Sequence, residues 1–204
     1  QKDVMGHVSR HEGVTNPPVV ADGRLFLITH ESRLLALDAW NGEKLWEAHL
    51  QSQEDAKSGL DVSGGVGVAD GNVYVTTSGG QVYALDASTG EMIWRADVGA
   101  SVRTAPTIAD ERVFVVSHDN RVHVLDSKSG QLLWNHSGIE EALAMLSGAA
   151  PAVAAGRVAV PYSSGEIYAL KASDGRYLWH DVLSSIRGID PFIQINDIVG
   201  APVI

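Results

Sequence analysis

The chain contains no cysteine. A disulfide framework and any thiolate-bound metal are therefore excluded, while the redox compartment stays open. There is no run of 18 or more apolar residues, so no segment reads as a membrane-spanning helix. Basic residues are the minority, 15 Lys and Arg against 25 Asp and Glu, for a formal charge of −10. Nucleic-acid and anionic-membrane surfaces need clustered Lys and Arg, so both partner classes are disfavoured. An initiator Met and a signal-like apolar stretch are also missing at Gln1, and the chain stops in mid-pattern at Pro202-Val203-Ile204. It reads as a processed or truncated piece, with its targeting information elsewhere.

Motifs of catalysis are lacking too. No Ser/His/Asp set, phosphate-cradling loop or His-carboxylate cluster stands at a recognisable spacing. His7 and His11 are four apart but nothing around them supports a helix, so they read as surface histidines. Gly64-Gly65-Val66-Gly67 precedes a strand rather than a helix and reads as a turn. No catalytic, cofactor-binding or metal-binding residue is expected, and no cofactor.

What the chain does have is one sentence written four times. It is clearest in Gln81-Val82-Tyr83-Ala84-Leu85-Asp86-Ala87-Ser88-Thr89-Gly90-Glu91-Met92-Ile93-Trp94, and it recurs ending at Trp46, Trp134 and Trp179. Periods of this size define repeat architectures. Each unit reads as four short strands. Asp-Gly or an equivalent turns the first, a short hairpin such as Ser78-Gly79-Gly80 joins the second to the third, and Asp-x-x-x-Gly leads into the fourth. Asp suits the first position of a type I turn, and Gly supplies the positive φ of a G1 bulge. Repetition at one slot makes Asp38, Asp86 and Asp126 turn residues rather than catalysts, and Lys171 in the fourth copy shows the carboxylate is dispensable. The middle strands are apolar on both faces, as Val113-Phe114-Val115-Val116 shows, so they are covered on both sides. The expected fold is an all-β propeller of four-stranded antiparallel blades, four complete and a fifth begun. The repeats span approximately 17–50, 62–98, 104–136 and 149–181, with 200–204 opening the next. Trp46, Trp94, Trp134 and Trp179 are expected between blades, and Trp40 on the surface.

From Pro18 to Trp46, Val66 to Trp94, Pro106 to Trp134 and Pro151 to Trp179 the distance is always 28 residues. From each Trp to the next Pro position it varies: 20, 12, 17 and 23 residues. All insertion is thus confined to one class of connection, which emerges at one end of a propeller, and insertions on one face of a repeat protein are usually where it binds. The connection at 51–60 is polar and reads as solvated. The stretch from Ile139 to Leu146 has the composition of one or two helical turns; its Leu143, Met145 and Leu146 either tuck under the disc or meet a partner. The stretch 184–199 interleaves Ile186, Ile189, Phe192, Ile193, Ile195 and Ile198 with Arg187, Asp190 and Asp197. Apolar patches rimmed by charge mark protein interaction sites.

The Ala-Leu-Asp-x-x-x-Gly-x-x-x-Trp sentence resembles the quinoprotein-type (PQQ-like) propeller repeat over essentially the whole chain. Its alcohol-oxidising members carry adjacent cysteines and a calcium-binding Glu/Asn/Asp set; here the cysteines are missing and no calcium set can be placed. The Leu-rich connection Leu143 to Pro151, the segment Asn196 to Val203 and Pro161-Tyr162-Ser163-Ser164-Gly165-Glu166 are more similar to the BamB family of outer-membrane assembly lipoproteins. That resemblance implies eight blades in a full protein and a non-enzymatic scaffold at the periplasmic face of the outer membrane. It implies a lipid anchor, outside this sequence, and docking to the insertase BamA beside other Bam subunits and unfolded outer-membrane protein substrates. In the family a Leu-x-Leu-Arg-Gly stretch and an Asp-x-Asp face BamA. Here Ala144-Met145-Leu146-Ser147-Gly148 keeps the second Leu and has Ser for Arg, and Asp197-Ile198-Val199 keeps the first Asp alone. The expected protein-binding residues are Leu143, Met145, Leu146, Ser147, Arg187, Ile195, Asp197 and Val199. The rival readings are a fragment of a PQQ-dependent dehydrogenase and another extracytoplasmic propeller module. Four blades do not close a ring, so either further blades or a second copy, as a homodimer, is expected to complete it.

Overall fold

A computed structural model describes residues 17–29, 33–50, 64–139, 149–182 and 202. Among the described residues sixteen strands form four sheets, each a four-stranded antiparallel meander in chain order. The first blade is β1 (Val19–Ala21), β2 (Arg24–Ile28), β3 (Arg33–Asp38) and β4 (Lys44–His49). The second is β5 (Val66–Ala69), β6 (Asn72–Thr76), β7 (Gln81–Asp86) and β8 (Met92–Asp97). The third comprises β9 (Thr107–Ala109), β10 (Arg112–Ser117), β11 (Arg121–Asp126) and β12 (Leu132–Ser137). The fourth comprises β13 (Ala152–Ala154), β14 (Arg157–Pro161), β15 (Glu166–Lys171) and β16 (Tyr177–Val182). Strand β1 adjoins β5, β5 adjoins β9 and β9 adjoins β13, so the first strands gather on the inside and the blades fan outward as in a propeller. The predicted opening of a fifth blade at 200–204 lies, apart from Pro202, outside the described residues.

The turns form as the residue types require. Asp22-Gly23, Asp70-Gly71, Asp110-Glu111 and Ala155-Gly156 have both φ values positive, the backbone of a type I′ hairpin, whose twist matches that of the strands. In the Asp-x-x-x-Gly turns, Gly42, Gly90, Gly130 and Gly175 have φ between +70° and +76°. The ladder slips by one residue at the paired position, between Ala84 and Leu85 for example, which is the bulge that such a glycine makes. The Asp86 carboxylate accepts from the Ser88 hydroxyl and from the Ser88 and Thr89 N–H groups at 2.5, 2.8 and 2.9 Å. These bonds, the Ser88 hydroxyl first, pull its pKa down to about 2. In the fourth blade Asp174 instead accepts from the Arg176 N–H at 3.1 Å.

Middle-strand residues face their neighbours on both sides. Phe26, Ile28, Leu34 and Ala36 of the first blade pack with Val73, Val75, Tyr83 and Leu85 of the second. Tyr74, Val82, Ala84 and Trp94 of the second then meet Val113, Val115 and Leu125 of the third. Between the third and fourth lie Phe114, Val122 and Val124 against Val158, Val160 and Leu170.

The tryptophans tie each blade to the next. Trp46 Nε1 donates to Ala87 O at 3.1 Å, Trp94 Nε1 to Ser127 O at 2.9 Å, and Trp134 Nε1 to Ala172 O at 3.2 Å. Each ring lies over the turn glycine of the following blade. A Cβ on Gly90, Gly130 or Gly175 would sit 2.5–2.6 Å from that indole's Cε3. Trp179 departs from the expected pattern, being 49% exposed. The β2-position aromatic that backs the other three (Phe26, Tyr74, Phe114) is Ala159 here, and no following blade stands among the described residues. At the other end, nothing lies within 4 Å of a Cβ built on Gly42. Trp40, as expected, is on the surface.

One reading is corrected. Gly64-Gly65-Val66-Gly67 is not a turn: Val66 and Gly67 belong to β5. The glycines answer to close approach, since a Cβ on Gly64 would lie 1.7 Å from Thr76 O and one on Gly65 2.4 Å from Ala105 Cα.

Candidate functional site

In a meander the β2–β3 hairpins and the blade-to-blade connections share one end of the sheet stack, here termed the connection face. The predicted docking residues Leu143, Met145, Leu146, Ser147, Arg187, Ile195, Asp197 and Val199 all lie outside the described residues. What is described is the base from which those segments leave, and one stem is built with particular care.

The stem is Gly138–Ile139, which leads into the second of the three long connections. Asn120, at the tip of the β10–β11 hairpin, stands in the slot that Gly80 and Gly165 occupy in neighbouring blades, and its φ is +55°. Asn tolerates this conformation better than most residues, and its amide works in both directions. Nδ2 donates to Ile139 O at 2.8 Å, while Oδ1 accepts from the Ser163 N–H at 3.0 Å and the Ser163 hydroxyl at 2.8 Å. On the other side, buried Glu166 Oε2 accepts from the Ile139 N–H at 3.2 Å and the Ser164 hydroxyl at 2.9 Å. Its Oε1 accepts from the Tyr168 hydroxyl at 3.2 Å. Both backbone groups of Ile139 are thus held by side chains from two blades, and its own side chain is exposed. The sequence signals were an Asn in a glycine slot and an acid inside an apolar repeat; sequence reasoning singled out neither.

Below the stem the seam between blades three and four is aromatic and polar, where the other seams have Ala48 and Ala96. His136 lies 4.8 Å from Tyr168 and 6.2 Å from Tyr162, ring centre to ring centre, and Tyr168 stacks on His180 at 5.3 Å. His136 Nδ1 is 3.0 Å from the Tyr162 hydroxyl, which in turn donates to His136 O at 3.1 Å. Burial pushes the His136 imidazole below its usual range, with the Glu166 carboxylate opposing. Burial does the same to His123, with Asp119 opposing. Both groups are therefore held neutral in the fold and take up protons more readily in the unfolded chain. Their contribution is whole above pH 6.5, the unfolded value, and is lost as pH falls below it. The urea midpoint is expected to fall between pH 7.5 and pH 5.5. In a His123→Tyr/His136→Ala variant, which copies Tyr83 and Ala96 of the second blade, it should hold steady.

A Ser-His-Asp trio does occur in space. Ser117 Oγ donates to Asp119 Oδ1 at 2.5 Å and lies 3.0 Å from His123 Nε2. In a hydrolytic triad the imidazole sits between hydroxyl and carboxylate and removes the hydroxyl proton. Here the carboxylate accepts the serine hydroxyl's hydrogen bond directly, so the imidazole is left to donate to the oxygen, and Ser117 is buried. The arrangement closes a hairpin and does not activate a nucleophile. Among the described residues no group of three or more His, Cys, Asp or Glu side chains could hold a metal ion.

Successive four-stranded meanders locked by a tryptophan over the next blade's turn glycine define a PQQ-like β-propeller. A quinohemoprotein alcohol dehydrogenase from Pseudomonas putida HK5 shares this fold, with a TM-score of 0.70 over 85% of this chain and 34% of its own, at 22% identity. The crystal structure of BamB from Moraxella catarrhalis superposes with a TM-score of 0.81 over 94% of this chain and 56% of its own, at 21% identity. The family described as outer membrane protein assembly factor BamB matches residues 8–63 and 56–204. The outer membrane protein assembly factor BamB of Xanthomonas campestris pv. campestris is 37% identical over 98% of this chain. The chain belongs to the BamB family, and it spans 50% of the length of that relative.

Proposed function

We propose that the chain is part of a non-enzymatic periplasmic scaffold that assists insertion of β-barrel proteins into the outer membrane. It docks BamA through the long connections of its connection face, lies beside other Bam subunits and receives unfolded outer-membrane substrates. A lipid anchor outside this sequence holds it to the membrane. The observation that carries the reading is family membership, joined to the confinement of every insertion to one end of the blades. The stem held by Asn120 and Glu166 supports it, because a recognition segment needs a rigid base. In a pull-down with the periplasmic domains of BamA, the wild type is expected to bind and a Leu146→Asp/Asp197→Lys double variant to be lost from the bound fraction. Equal binding by both would overturn the assignment of the loops. Dye-linked alcohol oxidation after addition of PQQ and calcium would overturn the scaffold reading itself.

The exposed Trp179 and the open turn at Gly42 are complementary halves of the joint that links the other blades. In isolation, this 204-residue chain is therefore proposed to pair head to tail, four blades with four. A monodisperse monomer of 21.7 kDa in light scattering would exclude the pairing.

A further inference from the structure

Of the large apolar residues that are exposed among those described, Ile139 and Val182 alone stand at the connection face. Most of the others sit where the outer strands begin, at the opposite end. Ile139 is 60% exposed and Val182 48%, and a long connection begins directly after each. The two connections leave side by side. Val182 is the cross-strand partner of Glu166, and the Glu166 carboxylate accepts from the Ile139 N–H at 3.2 Å, so the two residues flank one buried acid.

Neither is an ordinary part of the blade. Three residues after the repeat tryptophan the first three blades carry His49, Asp97 and Ser137, whereas the fourth carries Val182. Five residues after it stand Gln51, Gly99 and Ser184, but in the third blade Ile139. The apolar residue that closes a blade comes four after the tryptophan, and there Leu50 and Val98 pack into the first two seams. In the third blade that slot is Gly138, and buried Tyr162 takes the space: its Cδ2 lies 2.6 Å from where a Cβ on Gly138 would be. Ile139 is therefore not a core residue slipped by one position, because its place in the core is filled.

Its backbone is nevertheless fixed from two blades, with Asn120 Nδ2 donating to its carbonyl and Glu166 accepting from its N–H. Burying a carboxylate among neutral donors is unfavourable relative to leaving it in water. At the same strand position the other blades have Arg33, Gln81 and Arg121, none of them buried. The fourth blade thus sets an acid in the seam and holds rigid a residue whose side chain is left in solvent. Pre-ordering of this kind reduces the entropy that a contact loses on binding. The hairpin tips around the pair are polar, with Asn120 on one and Ser163 on the next, and an apolar centre inside a polar rim is the make-up of a protein–protein interface.

We infer that Ile139 and Val182 form an apolar anchor, which receives an aliphatic or aromatic side chain of the protein that docks on the connection face. The inference rests on the docking function proposed above and adds a contact on the blades themselves, at the base of the long connections. A pre-ordered apolar residue at such a point is the kind that carries a large share of binding energy.

The test is the affinity for the periplasmic domains of BamA, measured for wild type, Ile139→Ala, Val182→Thr and the Leu146→Asp/Asp197→Lys variant, with urea midpoints alongside. Ile139→Ala is expected to bind roughly 10-fold more weakly and Val182→Thr about 3-fold, with midpoints unchanged because both side chains lie largely in solvent. The ratio of wild type to Ile139→Ala should be the same at about 50 and about 500 mM salt, as for a contact that carries no charge. Because the chain has no cysteine, Ile139→Cys supplies a single thiol, and its alkylation should slow when BamA domains saturate the chain. If Ile139→Ala binds like wild type while the loop variant does not, the anchor is wrong and the docking function stands. A thiol alkylated as fast in the complex as outside it overturns the anchor even where Ile139→Ala proves unstable. If wild type itself fails to bind, both fall. Loss of self-association in Ile139→Asp, read by light scattering, would assign the patch to a second copy of the chain and overturn the anchor as well.

Discussion

Trp94→Ala is expected to destabilise the chain by about 3–5 kcal/mol, the range for a large buried aromatic. Trp179→Ala, the same change in the same repeat position, should cost less than about 1 kcal/mol in the unpaired chain, measured at concentrations below those of head-to-tail pairing. Trp94 is 8% exposed, packs its ring 6.0 Å from Tyr74 and donates to Ser127 O across the seam. Its removal opens a cavity between two blades and leaves Ser127 O with only the longer bond from the Tyr74 hydroxyl, at 3.3 Å. Trp179 is half in solvent and has no Phe or Tyr behind it, since Ala159 takes that slot. Stability in a repeat protein is close to a sum of blade terms and nearest-neighbour interface terms, so a tryptophan with no next blade among the described residues has little to lose. A domain stable by roughly 5–15 kcal/mol has much of its margin removed by the first change and hardly any by the second. Urea titration followed by far-UV circular dichroism compares them without relying on the fluorophore that the substitution deletes. Equal midpoints for the two variants would mean that the tryptophan acts within its own blade and not across the seam.

The blade was legible in the sequence because it is written four times at constant length. Doubly apolar strands such as Val113 to Val116 can lie only between covers, and Asp-x-x-x-Gly can hardly be anything but a bulged turn. The surface position of Trp40 followed from its place in such a turn. The links between blades were less legible, because they join residues 33 to 41 positions apart that carry no mutual spacing signal. The turn glycines were read for their φ alone, although Gly90, Gly130 and Gly175 are also required by a tryptophan arriving from the blade before. The glycines at 64 and 65 were misread for the same reason: the approach of Thr76 and Ala105, not local chain reversal, explains them. As for the proposed site, variable loop lengths pointed to one face, while the polar fittings at its base stayed hidden. Asn120 looks like an ordinary hairpin residue until its amide is seen to span Ile139 and Ser163. Glu166 looks like a surface acid at a strand end until three donors converge on it.

The dual role of the turn glycine leads to the second large effect. Gly130→Ala should cost about 2–5 kcal/mol, the sum of a left-handed alanine at about 1–2 and an overpacked contact at about 1–3. In the unpaired chain Gly42→Ala should cost only the first part. The two positions share a turn type and a backbone, with φ of +70° and +72°, so conformational strain is common to both. They differ in what the new methyl meets. At Gly42 it meets open space; at Gly130 it would lie 2.5, 2.7 and 3.1 Å from Cε3, Cδ2 and Cζ3 of Trp94. The indole has no easy retreat, because its Nε1 is bonded to Ser127 O and its ring is backed by Tyr74. A double-mutant cycle separates the parts. In a Trp94→Ala background the added methyl has room, so Gly130→Ala should fall to the cost seen at Gly42, and the coupling between positions 94 and 130 should equal the clash term. If Gly130→Ala costs the same in both backgrounds, the glycine is there for its φ alone. The interlock would then reduce to the tryptophan and the carbonyl it reaches.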